Sequence, residues 1–599
     1  MFAVIDPIVT IVIPRTAEAE TARVGMRPRY RVPIMASSRS GWAASLYSFV
    51  LSILVFGPLL GPGYLLLRDA VSTPRSYFTD SALGTSDAAA RAVPQDALIA
   101  ALSTVFDGGV VVKAILLLAL WLAGWGAAQM SRTLLPTAGT PAALVASTVA
   151  IWNPYVAERL LQGHWSLLVG YAALPWTVVA SVTLRRTGRW GWLAVCLAAA
   201  GITPTGAILA ALTALVCGIP DARRASARRA YALTWLIVLV ASSPWLVATA
   251  VSGSGATGTD PAGVTAFAAR AEPGLGTLGS LAGLGGIWNS DAVPATRTTV
   301  FAAFGTALLL AVVALGLAPL WRRRRNPIIT ATALLAAVAI AGTALAATGP
   351  GLALGEWAAV DVPGAGLLRD AQKWVALAMP FYALAAAAGV AWAGARLRNR
   401  WLPAVAAALA VVIALPDLIW GAGGQLKPVD YPDSWSAVAA ELDGADGDVA
   451  VLPAGMFRFF PYSGESPVLD PAPRMLPLDV LQTGELVVAG GSVRGEGTRA
   501  EAVEQLLLAG GSATELADLG VGWVLLERTT PGELGAAKTS LQQLSAVYVD
   551  DELALYRVPG DIQGSEPTNN LAVGAAHLLW IALLVGGLGW AIFPRRHKP

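Results

Sequence analysis

The chain has 599 residues, 55% of them hydrophobic and only 13% charged, with a formal net charge of +2. A soluble protein of this size carries roughly twice that charged fraction, so an ordinary soluble enzyme is excluded and repeated membrane crossing is implied. No basic surface interleaved with aromatics points to nucleic acid, and Cys196 and Cys217 sit in apolar stretches that suit buried thiols better than a disulfide.

Residues 1–43 carry Arg15, Arg23, Arg27, Arg29, Arg31 and Arg39 with few acids, the pattern of a cytoplasmic tail before a signal anchor; Met35 offers a second possible start. Apolar runs then predict spans at 44–67, 110–130, 138–153, 165–184, 231–250, 299–320, 327–347, 374–394, 402–420 and 568–593. The stretch 190–218 is apolar but broken at Ile202–Gly206, with Arg185, Arg186 and Arg189 before it and Arg223, Arg224, Arg228 and Arg229 after it. Basic flanks on one side require the segment to enter and leave on that side, as two short helices or a re-entrant pair. Counted as two, it brings the total to about 12 transmembrane helices.

One topology accommodates the basic clusters. With the N-terminus inside, Arg132, Arg322–Arg325, Arg396–Arg400 and the tail 594–599 all fall in the cytoplasm. The loops 68–109, 154–164, 251–298 and 348–373 then lie outside, as does 421–567. Short strands at 448–453, 521–527 and 551–557 and amphipathic helices at 498–508 and 531–544 make 421–560 a small α/β domain, followed by a polar linker at 561–567. The expected architecture is a polytopic α-helical plasma-membrane protein: a transmembrane body over 44–420, an extracytoplasmic α/β domain, and a last span at 568–593.

Three polar groups in the outer loops carry candidate chemistry. Arg68 and Asp69 follow the first span directly, and Arg75 and Asp80 lie in the same loop. Such charges can simply mark the interface; a carboxylate at that depth can also take a proton from an attacking hydroxyl, or hold a divalent cation against a phosphate. Asn153, Tyr155, Glu158, Arg159, Gln162, His164 and Trp165 crowd one short link between spans, either as a satisfied ion-pair cluster or as a sugar site on a short surface helix. Arg369 and Lys373 precede the span at 374, where positive charge is disfavoured outside unless it meets something negative, such as a lipid phosphate or Asp370. The glycines at 276–286 lack the Lys-Ser/Thr partner of a phosphate loop, so no nucleotide is expected.

These residues also carry a resemblance. Arg68–Asp69, Asp80, Arg91–Asp96 and Asp107–Gly109, then Asn153–Tyr155 through Gly163–Trp165 and Gly170–Trp176, then Leu368–Lys373, resemble actinobacterial multi-span envelope proteins of the GT-C glycosyltransferase superfamily, the arabinofuranosyltransferase and YfhO-like group. The resemblance implies a GT-C-like fold and transfer of a sugar from a polyprenyl-phosphate carrier to an envelope glycan or glycolipid at the outer face. It implies Asp69, then Asp80, as base or metal ligand, with Glu158 a further catalytic acid. Arg369 and Lys373 would face the lipid phosphate; no cofactor is certain, and a divalent cation, Mg or Mn, is the one the resemblance leaves open. The chain departs from the pattern in having no tight pair of acids after the first span. A lipid or glycan transporter and a non-catalytic envelope assembly protein are the alternative readings.

Overall fold

The computed structural model describes residues 39–86, 89–220, 225–251, 259–362, 364–488, 491–563 and 570–593. Most of the expected N-terminal tail, Arg223 and Arg224, part of the 561–567 linker and the basic C-terminal tail lie outside the described residues.

Among the described residues, eight helices are long and apolar enough to cross a membrane: Gly41–Leu60, Gly108–Leu134, Trp165–Thr187, Ala225–Val251, Phe301–Trp321, Pro327–Ala346, Ala371–Leu397 and Asn570–Ile592. The chain is a multi-pass membrane protein. Four further segments of the expected dozen are shorter or bent. Gly139–Ile151 has only 13 residues. Gly191–Ala200 and Pro204–Gly218 form the interrupted pair, with Thr203 capping the second helix through its side chain. Trp401–Ile413 and Pro416–Gly424 meet at 75°, because Pro416 cannot donate a backbone hydrogen bond to continue the helix.

The first span is shorter than the 44–67 expected. Its α-helix ends at Phe56, a 3-10 turn runs to Leu60, and Tyr64–Leu67 is a β-strand. Gly57, Pro58, Gly61, Pro62 and Gly63 account for the difference, since apolar composition continues but the backbone cannot stay helical. The predicted helix 531–544 likewise shrinks to Ala537–Leu541, with Pro531, Gly532 and Gly535 breaking its first half.

Burial separates central from peripheral spans. Trp165–Thr187 is 89% buried over its apolar window and Ala371–Leu397 83%, whereas Asn570–Ile592 is 22% buried. Large apolar side chains therefore face outward on the last helix, Leu571 and Leu578 among them, as a lipid-facing helix requires. Close crossings hold the inner helices together through small residues. A Cβ on Gly170 would lie 2.6 Å from the Gly206 Cα, and one on Gly316 would lie 1.8 Å from the Ala385 carbonyl oxygen.

Above one end of this body sits a four-stranded sheet in the order Ser545–Val549, Leu553–Arg557, Val521–Glu527, Asp448–Leu452. Its last two strands are parallel and the others antiparallel. Alternation splits the side chains between two cores: Val449, Trp523 and Leu525 pack with Trp435, while Ala450, Leu452 and Val524 pack under helix Thr498–Leu508.

A hairpin from the first loop belongs to the same layer. Tyr64–Leu67 pairs with Ala70–Val71 on one side and with Pro428–Val429 on the other. Leu66 and Val71 are buried in the Trp435 core. The membrane body and the sheet region thus share one hairpin, whose turn is Arg68–Asp69.

The close helix crossing is testable. Gly170→Leu should lower the yield and the melting temperature of the protein in detergent, because a backbone contact at 2.6 Å cannot absorb a side chain. Gly342→Leu, with nothing within 4 Å of its Cβ position, should melt like wild type. Equal melting temperatures for the two variants would refute the crossing.

Candidate active site at the Arg68–Asp69 turn

The hairpin places Asp69 by force of geometry. Arg68 has φ of 49°, at the first position of a two-residue turn where glycine is the usual occupant. Three ties hold it there. Its guanidinium donates to the Leu161 carbonyl at 2.7 Å and the Asp291 carbonyl at 2.6 Å, and its own carbonyl accepts from the Leu469 N–H at 2.7 Å. Arg68, expected to bind substrate, is a clamp between three segments.

Opposite the turn, Pro154–Leu161 forms a short helix that is buried on every residue rather than lying exposed at a surface. Asn153 caps it, accepting from Val156 N–H at 3.1 Å and donating to the Tyr171 hydroxyl at 2.9 Å. Two residues past the helix stands Gly163, which has φ of 86° and abuts the hairpin so closely that a Cβ would stand 2.2 Å from the Ala70 nitrogen. Only glycine fits there. Its consequence is that Gln162 and His164 reach Asp69: Asp69 Oδ2 accepts from Gln162 Nε2 at 3.2 Å and meets His164 Nε2 at 2.8 Å. The Asp69 backbone N–H also donates to the Gln162 carbonyl at 3.1 Å.

From His164 a chain of polar contacts runs inward. His164 Nδ1 lies 2.9 Å from Arg159 Nη1, and the Arg159 guanidinium grips Asp370 at 3.0 and 3.4 Å and also bonds the Gln372 side-chain oxygen. Lys373 Nζ stands 3.4 Å from Asp370 Oδ2. The Arg159 side chain is fully buried, whereas Lys373 is 25% and Asp69 32% exposed. The network therefore has a sealed interior and an open end where Asp69 and Lys373 face out. Asp69 Oδ1 takes no hydrogen bond among the described residues, so this oxygen is available.

Proton positions follow from the donors. Arginine has no acceptor, so Nδ1 of His164 must accept from Arg159, and the ring proton sits on Nε2 and points at Asp69. Burial lowers the His164 pKa despite the opposing pull of Asp69, which favours this neutral tautomer. For Asp69, burial acts upward, but the His164 hydrogen bond, the Gln162 hydrogen bond and Lys373 outweigh it and hold the carboxyl below its ordinary range. Asp370 is also lowered: burial opposes ionisation, and Arg159, then Lys373, more than offset it.

The remaining expected residues fall in different places. Glu158 is buried; its carboxylate accepts from Gly286 N–H and Ile287 N–H, each at 3.1 Å, and from Gln372 Nε2. Burial and the nearby Glu272 push its pKa upward. It anchors the loop at 285–287 and presents no free edge. The Tyr155 hydroxyl donates to the Lys373 carbonyl at 3.0 Å and its ring stacks on Tyr171, so it positions the strip that carries Asp370 and Lys373. Trp165 is buried at the start of its span. Arg75 bonds the Ser103 carbonyl at 3.1 Å and lies over the Tyr77 ring, outside the network. Arg369 points away from Asp370, onto the Phe267 ring.

Asp80 is exposed and takes a hydrogen bond from the Thr85 hydroxyl at 2.8 Å, beside Ser81, whose N–H and hydroxyl hold Asp479. It shares no contact with Asp69, so the two acids expected to hold a cation are engaged separately. Among the described residues no group of three or more His, Cys, Asp or Glu is arranged to hold a metal ion. A small cleft in the sheet region, lined by Arg458, Thr483 and Glu504, belongs to none of these contacts.

Gln162, from the polar link, together with Asp370 and Gln372 completes the site. Sequence marks Asp370 only as the ordinary partner of a misplaced cation, and that cation is its signal.

Two outcomes test this geometry. Arg159→Ala removes the buried partner of Asp370 and leaves it only the partly exposed Lys373 at 3.4 Å, and should cost about 3 kcal/mol of stability, read as a large drop in melting temperature; a change within error would refute the sealed network. For pH, the unfolded chain holds a proton on His164 up to about pH 6.5 that the fold rejects, with Asp69, Arg159 and Lys373 around the ring. Stability should thus fall as pH drops below that value, and again as Asp69 protonates. Melting in detergent that is flat between about pH 7 and 5 would contradict the neutral His164.

No family model matches the sequence, and no curated protein matches it. Solved structures do. Two cryo-EM structures of the mycobacterial arabinofuranosyltransferase AftD, one of them a mutant form, align over 88% of this chain with TM-scores of 0.56 and 0.55 and 15% identity. The alignments span 40% and 42% of the AftD chains, so this protein corresponds to less than half of that enzyme's length. The chain therefore shares the fold of the part of AftD that it matches.

Proposed function

We propose that the protein is a glycosyltransferase that moves a sugar from a polyprenyl-phosphate carrier to a cell-envelope glycan or glycolipid at the outer face of the plasma membrane. The observation that carries this reading is the open end of the network. Asp69 offers one unengaged, ionised carboxylate oxygen within the electrostatic reach of the Lys373 ammonium, while its other oxygen is fixed by His164 and Gln162. Both groups lie at the membrane boundary, because Lys373 is in the first turn of the span Ala371–Leu397.

The chemistry follows from the two charges. The acceptor hydroxyl attacks the anomeric carbon, and Asp69 Oδ1 takes the hydroxyl proton. The bond from the anomeric carbon to the phosphate oxygen breaks, and the polyprenyl phosphate leaves with the bonding electrons, met by Lys373. The neutral His164 donates to Asp69 throughout, which keeps the carboxylate oriented without adding a full positive charge. The low Asp69 pKa keeps the base ionised across physiological pH, and a carrier-linked donor needs no nucleotide site. The fold shared with AftD agrees with this class of reaction.

The same reading takes twelve membrane segments, the eight long helices and the four shorter or bent ones, with the N-terminus inside. It puts residues 421–567 outside the cell, where they brace the Asp69 hairpin over the donor. The interrupted helices Gly191–Ala200 and Pro204–Gly218 are the feature that favours a transporter instead. They carry no charged residue at the break, Gly201–Thr203.

Asp69→Asn, which keeps the shape and the His164 contact, should lower sugar transfer from a polyprenyl-phosphate donor by about 10²–10⁴-fold at unchanged protein level. Lys373→Gln should lower transfer while leaving melting close to wild type. Wild-type transfer by the Asp69 variant would sink the mechanism.

A further inference from the structure

The loop 285–293 lies beside the Asp69 turn, and the transfer chemistry leaves its polar tip unused. It is pinned at both ends. The Gly286 and Ile287 N–H groups donate to buried Glu158, and Ala292 and Val293 are themselves buried. Between these anchors the Arg68 guanidinium donates to the Asp291 carbonyl at 2.6 Å. Asn289, at the tip, is thereby held against the polar link that carries Gln162.

The hydrogen bonds there form one directed chain. The Asp291 N–H donates to Asn289 Oδ1 at 3.0 Å, Asn289 Nδ2 donates to Gln162 Oε1 at 2.8 Å, and Gln162 Nε2 donates to Asp69 Oδ2 at 3.2 Å. A backbone N–H can only donate, and an ionised carboxylate can only accept. The two ends therefore dictate the same polarity, and each amide between them has a single orientation that satisfies every bond. Asp69 follows Arg68 directly, so the Arg68–Asp291 contact closes the chain into a ring.

The ring matters because a glutamine amide has two unlike edges. Turned over, Gln162 would set its oxygen against the Asp69 carboxylate and its nitrogen against Asn289 Nδ2, so acceptor would meet acceptor and donor would meet donor. Without Asn289 only the first of these clashes remains, and the amide is steadied from one side alone.

We propose that Asn289 is a positioning residue for Asp69: it acts through Gln162, whose amide nitrogen it keeps turned toward Oδ2, and so leaves Oδ1 as the open oxygen. Its effect on transfer rests on the reading of Asp69 as the base; its effect on the carboxylate can be measured without transfer.

A double-mutant cycle separates the two. Asn289→Ser keeps a hydroxyl that accepts from the Asp291 N–H in the same kind of turn, but is too short to reach Gln162; Asn289→Thr repeats the test with the same hydroxyl. Gln162→Met fills the glutamine's space without a donor. In each full-length protein the Asp69 carboxyl is titrated by infrared difference against the matching protein that also carries Asp69→Asn. His164, Lys373 and Arg68, the titratable and charged groups around Asp69, are the same in all of them. A carboxylate that loses a donor holds its proton more tightly, so the Asp69 pKa should rise by about one unit in Gln162→Met and about half a unit in Asn289→Ser. Asn289→Ser should add nothing in the Gln162→Met background. The acid limb of the pH profile for sugar transfer should move up by the same amounts. An unshifted carboxyl in Asn289→Ser and Asn289→Thr, or an equal shift in both backgrounds, would overturn the assignment. A shifted carboxyl with an unmoved acid limb would support the positioning and overturn Asp69 as the base.

Discussion

The buried guanidinium of Arg159 is the point on which the candidate site depends. It joins three segments far apart in sequence: its own short helix, the strip Asp370–Gln372 before a central span, and, through His164, the turn at Asp69. A charge taken fully out of water is tolerated only when paired and hydrogen-bonded. Here that condition is met by Asp370 and Gln372, so the segments must assemble together for any of them to be stable. The bidentate geometry is one that lysine cannot supply.

This arrangement explains why the two most enclosed spans, Trp165–Thr187 and Ala371–Leu397, are the ones whose first turns touch the site. Rigid, central helices are the best supports for charges that must be held to fractions of an ångström. Asp69 arrives by the opposite route, on a strained hairpin turn that the sheet region holds through Leu66, Val71 and the Leu469 N–H. The sheet region thus acts on the membrane boundary through backbone pairing, and a change anywhere in the Trp435 core has a direct path to the carboxylate.

Two kinds of charge emerge around the membrane boundary. Asp69 and Lys373 act on each other electrostatically, with neutral His164 and buried Arg159 behind Asp69. Arg369, next in sequence to Asp370, points away from it. Consecutive residues thus engage different neighbours, Asp370 the Arg159 guanidinium and Arg369 the Phe267 ring.

Much of the molecule was legible from residues alone. Apolar length and basic flanks marked the spans, because crossing a bilayer constrains composition strongly. The break at Ile202–Gly206 and the strands at 448–453, 521–527 and 551–557 also followed from local pattern, and the folded strands match them to within two residues. Asp69, His164, Arg159 and Lys373 stood out as polar groups in places that disfavour them. What sequence could not supply was pairing. Nothing local distinguishes Asp69, held by His164, from Asp80, which caps no network; Arg68 reads as a substrate cation yet serves two carbonyls; and Glu158 reads as a catalytic acid yet anchors a backbone loop. Composition and periodicity are properties of single segments. Which carboxylate stays open is decided by contacts between segments hundreds of residues apart, and only the folded chain brings those together.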